Sequence, residues 1–268
     1  MKEKINIKQM KKNYKFLIAL SVIIIGLIAI YFYNSKEEVY TLKCYDSKTK
    51  ITDISEYVIR DNDTVFHGKF NQYNEKGIKI AEGNFVNGEP NGKSIYYFDD
   101  GKIKSVHYRI NSKITLESCL YYPNGKIERY ALYNPVGESI FIVNYDENGV
   151  VKNYDGDPQI EIYQFKFAHK KQFNIKEDQR LKVKDILKHS YIVANIPYAK
   201  RSFKIENVGV DNSKVKRTQK NILPAQIDVE EVLIKKGKNT IRSIVRYEFN
   251  DKITPVLSDT ISFDVNVN

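Results

Sequence analysis

Four short segments decide the reading of this chain: Tyr73-Asn-Glu-Lys-Gly77, Tyr97-Phe-Asp-Asp-Gly101, Tyr121-Tyr-Pro-Asn-Gly125 and Tyr145-Asp-Glu-Asn-Gly149. Successive tyrosines are 24 residues apart, and so are successive glycines. A second marker, Gly68-Lys69 and Gly92-Lys93, keeps this spacing through the first two units. A fixed period of this length indicates stacked supersecondary units. Each unit holds a turn whose Gly supplies positive φ, and in the last three an Asn or Asp beside it tolerates the same region. After the Gly comes Lys-Ile or Val-Val in the last three units and Ile-Lys in the first, then a run ending in an aromatic at Phe85, Tyr108, Tyr133 or Tyr154. A second turn is clearest at Asn87-Gly88 and Asn91-Gly92. Two strands and two turns fill 24 positions, so the spacing predicts one hairpin per unit in an antiparallel meander. The second-turn Gly is missing after Ile114, which leaves the later hairpins less defined.

Upstream of the repeats, Val39–Tyr45, Ile54–Arg60 and Val65–Phe70 read as strands, rich in β-branched and aromatic residues, with Asp61-Asn-Asp63 breaking the last two apart. Of the 20 tyrosines, 13 lie between residues 34 and 157. A long meander without a second layer meets water on both faces, and Tyr suits that position, with its apolar body and polar tip.

The pattern His67-Gly-Lys, Tyr73 to Gly77, Ile78 to Asn84, Phe85-Val-Asn-Gly88 and Asn91-Gly-Lys resembles the MORN-repeat variant of bacterial repeat proteins, a group that includes YwqK-type antitoxin components. The resemblance covers roughly residues 60–155. It implies a β-meander that binds other molecules, and it brings no catalytic motif.

Charge is uneven. The chain has a net charge of +10. Residues 1–15 contribute +5, residues 34–157 contribute −3 and residues 158–268 contribute +8. Half the excess therefore sits on a short tail, which removes the argument for nucleic acid. That tail, with Lys2, Lys4, Lys8, Lys11, Lys12 and Lys15, precedes an uncharged run from Phe16 to Ser35. Its apolar core, Phe16 to Tyr33, would extend about 27 Å as a helix, close to the thickness of a bilayer. The lysines place the N-terminus in the cytoplasm, and Tyr31, Phe32 and Tyr33 fall where an aromatic belt would lie. No small-x-small cleavage site follows. The expectation is an uncleaved single-span anchor in a bacterial cytoplasmic membrane, with the rest of the chain periplasmic or extracellular. Cys44 and Cys119 then lie in an oxidising compartment; a disulfide competes with isolated buried thiols, and the thiols are preferred.

Asp155-Gly-Asp-Pro158 reads as a boundary. Beyond it, candidate strands are Ile160–Phe167, Leu181–Leu187, Tyr191–Ile196, Ser202–Val208, Ala225–Ile234, Thr240–Phe249 and Thr260–Val267. Ile261, Phe263, Val265 and Val267 alternate with polar residues. Seven short strands suit an immunoglobulin-like sandwich. The run Leu233 to Ile241, with Gly237 and Asn239, resembles the strand corner of extracellular bacterial Ig-like domains. The polar segment Val208–Leu223 reads as a mobile loop, whose Lys214, Lys216, Arg217 and Lys220 could touch anionic surfaces.

The expected organisation is a basic cytoplasmic tail (1–15), a transmembrane anchor (16–35), a repeat meander (36–156) and a β-sandwich (157–268). The fold class is all-β, preceded by one transmembrane helix. His67, His107, His169 and His189 show no metal-ligand spacing, and no nucleophile elbow, Walker loop or dinucleotide fingerprint is present. Asp61-Asn-Asp63 and Asp155-Gly-Asp157 lack the remaining ligands of a calcium loop. No cofactor or metal is expected. The expected role is a membrane-anchored, non-enzymatic binding or scaffold protein with a protein or cell-envelope glycan partner; the alternative is an antitoxin or immunity protein. Candidate binding residues are the four basic residues of the loop and Tyr73, Tyr97, Tyr121 and Tyr145, a line along one face that reads first as a structural ladder, each ring packed on its neighbour, and second as a platform on which an extended glycan or peptide stacks. Gly101, at a repeat turn, is expected to tolerate Val less well than Gly156 in the linker.

Overall fold

The structure, a computed structural model, describes residues 18, 20–26, 37–165, 181–251 and 253–268. The basic tail 1–15 and most of the apolar run 16–35 lie outside the described residues, as does His169. Residues 18 and 20–26 are helical. Among the described residues no helix is long and apolar enough to cross a membrane.

The rest is β-structure in antiparallel sheets. The first sheet runs through β1 (Tyr40–Asp46), β2 (Ile51–Arg60), β3 (Asp63–Tyr73), β4 (Lys79–Val86), β5 (Glu89–Pro90), β6 (Gly92–Tyr97), β7 (Ile103–Arg109), β8 (Thr115–Tyr121), β9 (Ile127–Tyr133), β10 (Ser139–Tyr145) and β11 (Val151–Gly156). Each strand pairs with its neighbours in sequence, and the two-residue β5 only extends the edge of β4. The meander expected from the 24-residue spacing is therefore present, and its later hairpins are as regular as its first.

The turns explain the period. In the turn after β3, Asn74 N–H donates to the Ile78 carbonyl and Gly77 N–H to the Asn74 carbonyl, both at 2.9 Å. The same pair of bonds recurs at Phe98–Lys102, Tyr122–Lys126, Asn134–Glu138 and Asp146–Val150. A bulge accompanies the turn, as three-residue hairpin loops closing on a positive-φ Gly require. The turn at Asn134–Glu138 carries Gly137 at φ 90°. The turn after β7 has no Gly; Asn111 Oδ1 accepts from the backbone N–H of Lys113 and Ile114 instead. Asp61-Asn62 and Asn87-Gly88 both have positive φ at the two central positions, which closes two-residue hairpins.

This sheet has two faces with different fates. On the back face Ala81, Tyr96, Ser105 and Leu120 lie directly opposite one another on successive strands, as do Ser94, His107, Ser118 and Ala131. Tyr96, His107 and Leu120 each stand opposite small residues on the preceding or following strand, so each large side chain has a low neighbour to lean on. Ala81, Ser94, Ser105, Ser118 and Ala131 are all buried. At Gly83 an added Cβ would lie 2.6 Å from the Phe70 ring, so the ring occupies the space that a side chain would take.

The second body is a two-sheet sandwich. One sheet has the order β12 (Gln159–Phe165), β13 (Ile186–Val193), β16 (Gln226–Val232), β15 (Arg217–Ile222); the other has β14 (Ala199–Asn207), β17 (Gly237–Phe249), β18 (Leu257–Val267). Two sequence expectations are corrected here. Leu181–Leu187 and Tyr191–Ile196 are not two strands: the single strand β13 takes the last two residues of the first and the first three of the second, and Leu181 makes only an isolated bridge to Val267. Nor is Val208–Leu223 simply a loop, because its second half is β15. The strand is polar because it is a sheet edge, with only its two end residues partly covered.

Arg217 has a structural task. It forms an ion pair at 2.7 Å with Glu231, whose side chain is fully buried, and its Nη1 donates to the Ile205 carbonyl of the opposite sheet. Asn207 also donates to Glu231. His189 completes the cluster, with Nδ1 2.9 Å from the Tyr191 hydroxyl. Burial, reinforced by the Arg217 charge, brings the His189 pKa down to about 3, so the ring is neutral at physiological pH.

The boundary is tight. Gly156 belongs to β11, paired with Phe141, and β12 begins at Gln159. Both cysteines are free thiols, but only Cys119 is packed against the core; Cys44 is exposed on the edge strand, contrary to the expectation of two buried thiols.

Candidate functional site

The front face of the long sheet carries the repeated tyrosines. One row of mutually opposite residues crosses ten strands: Lys43, Ile54, Asn71, Glu82, Ile95, Val106, Cys119, Tyr130, Val143 and Tyr154. Tyr73, Tyr97, Tyr121 and Tyr145 each stand two residues beyond a member of this row on β3, β6, β8 and β10, so they share its face. Consecutive tyrosines are two strands apart, about 9.6 Å. That distance is too great for ring-on-ring stacking, so they do not form a continuous ladder.

Composition along this face changes from unit to unit. Two residues before each repeat tyrosine stand Asn71, Ile95, Cys119 and Val143; four before stand Lys69, Lys93, Glu117 and Phe141. The first two units present polar groups apart from Ile95, and the last two present packed groups, among them the Glu117 carboxylate that accepts from Tyr130. The sandwich covers the second half. Tyr121, Ile127, Tyr130, Leu132, Phe141, Val143 and Tyr145 belong to or pack on one core that continues through Ala194, Ile196, Tyr247 and Phe249. Polar contacts seal the junction. The Asn195 backbone N–H donates to the Tyr130 hydroxyl at 2.8 Å, Tyr130 donates to Glu117 at 2.6 Å, and Tyr145 donates to the Pro197 carbonyl at 3.2 Å. Burial raises the Glu117 carboxyl above its usual range, pushes the Cys119 thiol up to about 12, and raises Tyr145 further.

The repeated tyrosines therefore divide. Tyr145 is buried and Tyr121 is half-buried against the core, its hydroxyl pushed up to about 12 by burial. Tyr73 and Tyr97 stay on the uncovered half. Tyr97 donates to Glu82 at 2.7 Å, and Lys79 donates to the same carboxylate at 2.8 Å. Hydrogen bonds from Lys79 and Tyr97 hold Glu82 below the usual carboxylate range, while burial and Glu82 push Tyr97 up to about 12.

The basic residues of the sandwich do not join this surface. Lys214 sits in a short 3-10 turn near Asp211, Arg217 is tied to Glu231, and Lys220 lies opposite Asp228 on β15. The structure adds Lys43, Tyr45, Lys69 and Lys93 to the open half. Tyr45 and Tyr73 flank Thr52 in one row and line a shallow groove of about 350 Å³, with Lys43 and Asn74 on its rim. The Gly-Lys marker of the first two units was the sequence signal for Lys69 and Lys93. Nothing in the repeat pattern marked Tyr45, because its turn is longer.

No protein-family model matches this chain, and no curated protein is similar to it. One similar solved structure is a mutant of TarM from S. aureus in complex with Fondaparinux, alpha-GlcNAc-glycerol and UDP, at 15% identity and a TM-score of 0.25. The match covers 48% of this chain and 22% of that one. That protein is a glycosyltransferase; the expectation of a chain without enzymatic activity finds no support in this comparison and is not retained. A TM-score this low carries no positive argument for fold or chemistry either.

Proposed function

We propose that the chain is a binding or scaffold protein, held by one N-terminal membrane span, that presents the uncovered half of its repeat sheet outside the cytoplasm. The observation that carries this reading is the change of composition along one face. Lys69, Asn71 and Lys93 leave the front of the first units charged and open, where Glu117, Cys119 and Phe141 are packed under the sandwich. In this reading the meander is a MORN-like repeat array. The sandwich is immunoglobulin-like, since its first, second, fifth and fourth strands share one sheet and its third, sixth and seventh the other, the order of constant-type domains. The sandwich closes the apolar end of the array and leaves the polar end free. The anchor rests on the lysine cluster ahead of Phe16 and the apolar run after it. Protease added outside intact cells should digest the chain beyond Ser35. Protection of the C-terminal residues from that protease, with digestion after the cells are opened, would overturn the placement.

A further inference from the structure

We propose that the open half-face binds an extended anionic glycan carrying one negative charge per disaccharide, laid across the strands. The proposal rests on the reading of that half-face as a binding surface, and it names the ligand class. Three strands two steps apart, β1, β3 and β6, each present one lysine and one tyrosine to the front: Lys43 and Tyr45, Lys69 and Tyr73, Lys93 and Tyr97. The lysines are exposed and none is ion-paired among the described residues, although Lys93 contributes to lowering Glu82. The neighbouring charges are already engaged: Lys79 with Glu82, Lys50 with Glu75, and Glu56 through the Lys69 backbone N–H. The tyrosines therefore recur every two strands, about 9.6 Å, each with a lysine two or four residues before it on the same strand.

That step is close to the length of one disaccharide in an extended glycan. A pyranose has an apolar face that packs on an aromatic ring, and a hydroxylated rim that hydrogen-bonds polar side chains such as Asn71, Asn74 and Thr52. The groove between Tyr45 and Tyr73 would take one such ring, with Lys43 beside its acidic neighbour. A peptide suits the surface less well. Extended peptides add to a strand edge through backbone hydrogen bonds, and the face of a sheet has no free backbone groups to offer.

The test uses the full chain in detergent and calorimetry with three probes: a hyaluronan hexasaccharide, with one carboxylate per disaccharide; a neutral chitin hexasaccharide; and hexaglutamate. Hyaluronan is expected to bind about tenfold or more tighter than the neutral glycan, and to weaken as salt rises. Tyr45→Ala, on an exposed edge strand, should weaken hyaluronan binding about tenfold without lowering the melting temperature. Lys43→Gln with Lys93→Gln should abolish the preference over chitin. No hyaluronan binding, binding no tighter than chitin, equal binding of hexaglutamate, or indifference to Tyr45→Ala would each overturn the proposal. A chain that is digested from outside the cell but ignores all three probes would keep its anchored placement and lose this ligand.

Discussion

Glu231→Leu is expected to cost about 3–5 kcal/mol of stability, the typical effect of removing one partner from a buried ion pair. Glu231 points inward from β16 in register with Ile227 and Val229, and its side chain has no exposed surface. Two atoms of Arg217 and the Asn207 amide satisfy the carboxylate. Leu has nearly the right volume, so the loss would come less from a cavity than from a guanidinium left among apolar residues. Arg217 reaches the Ile205 carbonyl and Asn207 of β14, so the pair also ties the two sheets together. The double variant Glu231→Leu, Arg217→Leu should recover much of the loss, because exchanging both charges for apolar groups is often nearly neutral. Urea denaturation of the single and double variants measures this. A single variant within about 1 kcal/mol of wild type would show that the pair is not buried as described.

Gly156→Val is expected to be the more damaging of two glycine substitutions, reversing the order read from the sequence. Gly156 has φ 86°, and a Cβ there would run into the Ile140 carbonyl oxygen, 2.9 Å from its carbon and 3.3 Å from the Phe141 Cα. Those atoms are backbone and cannot turn aside. The approach is close because the next residue, Asp157, donates its N–H to the Ile140 carbonyl at 2.8 Å and so turns the chain from one body into the next. Strain and clash together should cost on the order of 3 kcal/mol or more. Gly101 has a similar φ, 82°, but the nearest atom to its added Cβ is the Ile78 Cγ2 at 3.7 Å. Gly101→Val should therefore lose only the conformational part, about 1–2 kcal/mol. Thermal melting of the two variants settles the order, and a lower melting temperature for Gly101→Val would contradict the described turn at Gly156.

The repeat was legible where conformation demanded a particular residue. Gly77, Gly101, Gly125 and Gly149 stand out because the closing position of each turn needs positive φ. The turn after β7 was hidden because it closes without a Gly, its Asn111 side chain accepting from the Lys113 and Ile114 N–H groups. β15 was hidden because an edge strand of polar residues shows no alternation, and its one anchoring side chain, Arg217, looks like a surface cation until Glu231 is placed behind it. Gly156 was misread because Asp-Gly-Asp-Pro is also the chemistry of a linker. The tyrosine line was legible; its division was not. Which tyrosines are sealed depends on where residues 194–198 of the sandwich come to rest, and no periodicity within the repeats encodes that.

The central claim is that one sheet face is open over its first units and closed over its last. Hydroxyl-radical footprinting of the full chain, read by mass spectrometry at single tyrosines, tests it directly. Tyr45, 58% exposed, should oxidise rapidly and Tyr73 at an intermediate rate, while Tyr130 and Tyr145, at 0% and 1%, should be protected until the chain unfolds. Oxidation of Tyr130 and Tyr145 in the folded chain at the rate of Tyr45 would mean that the sandwich does not cover the sheet, and the account would fail.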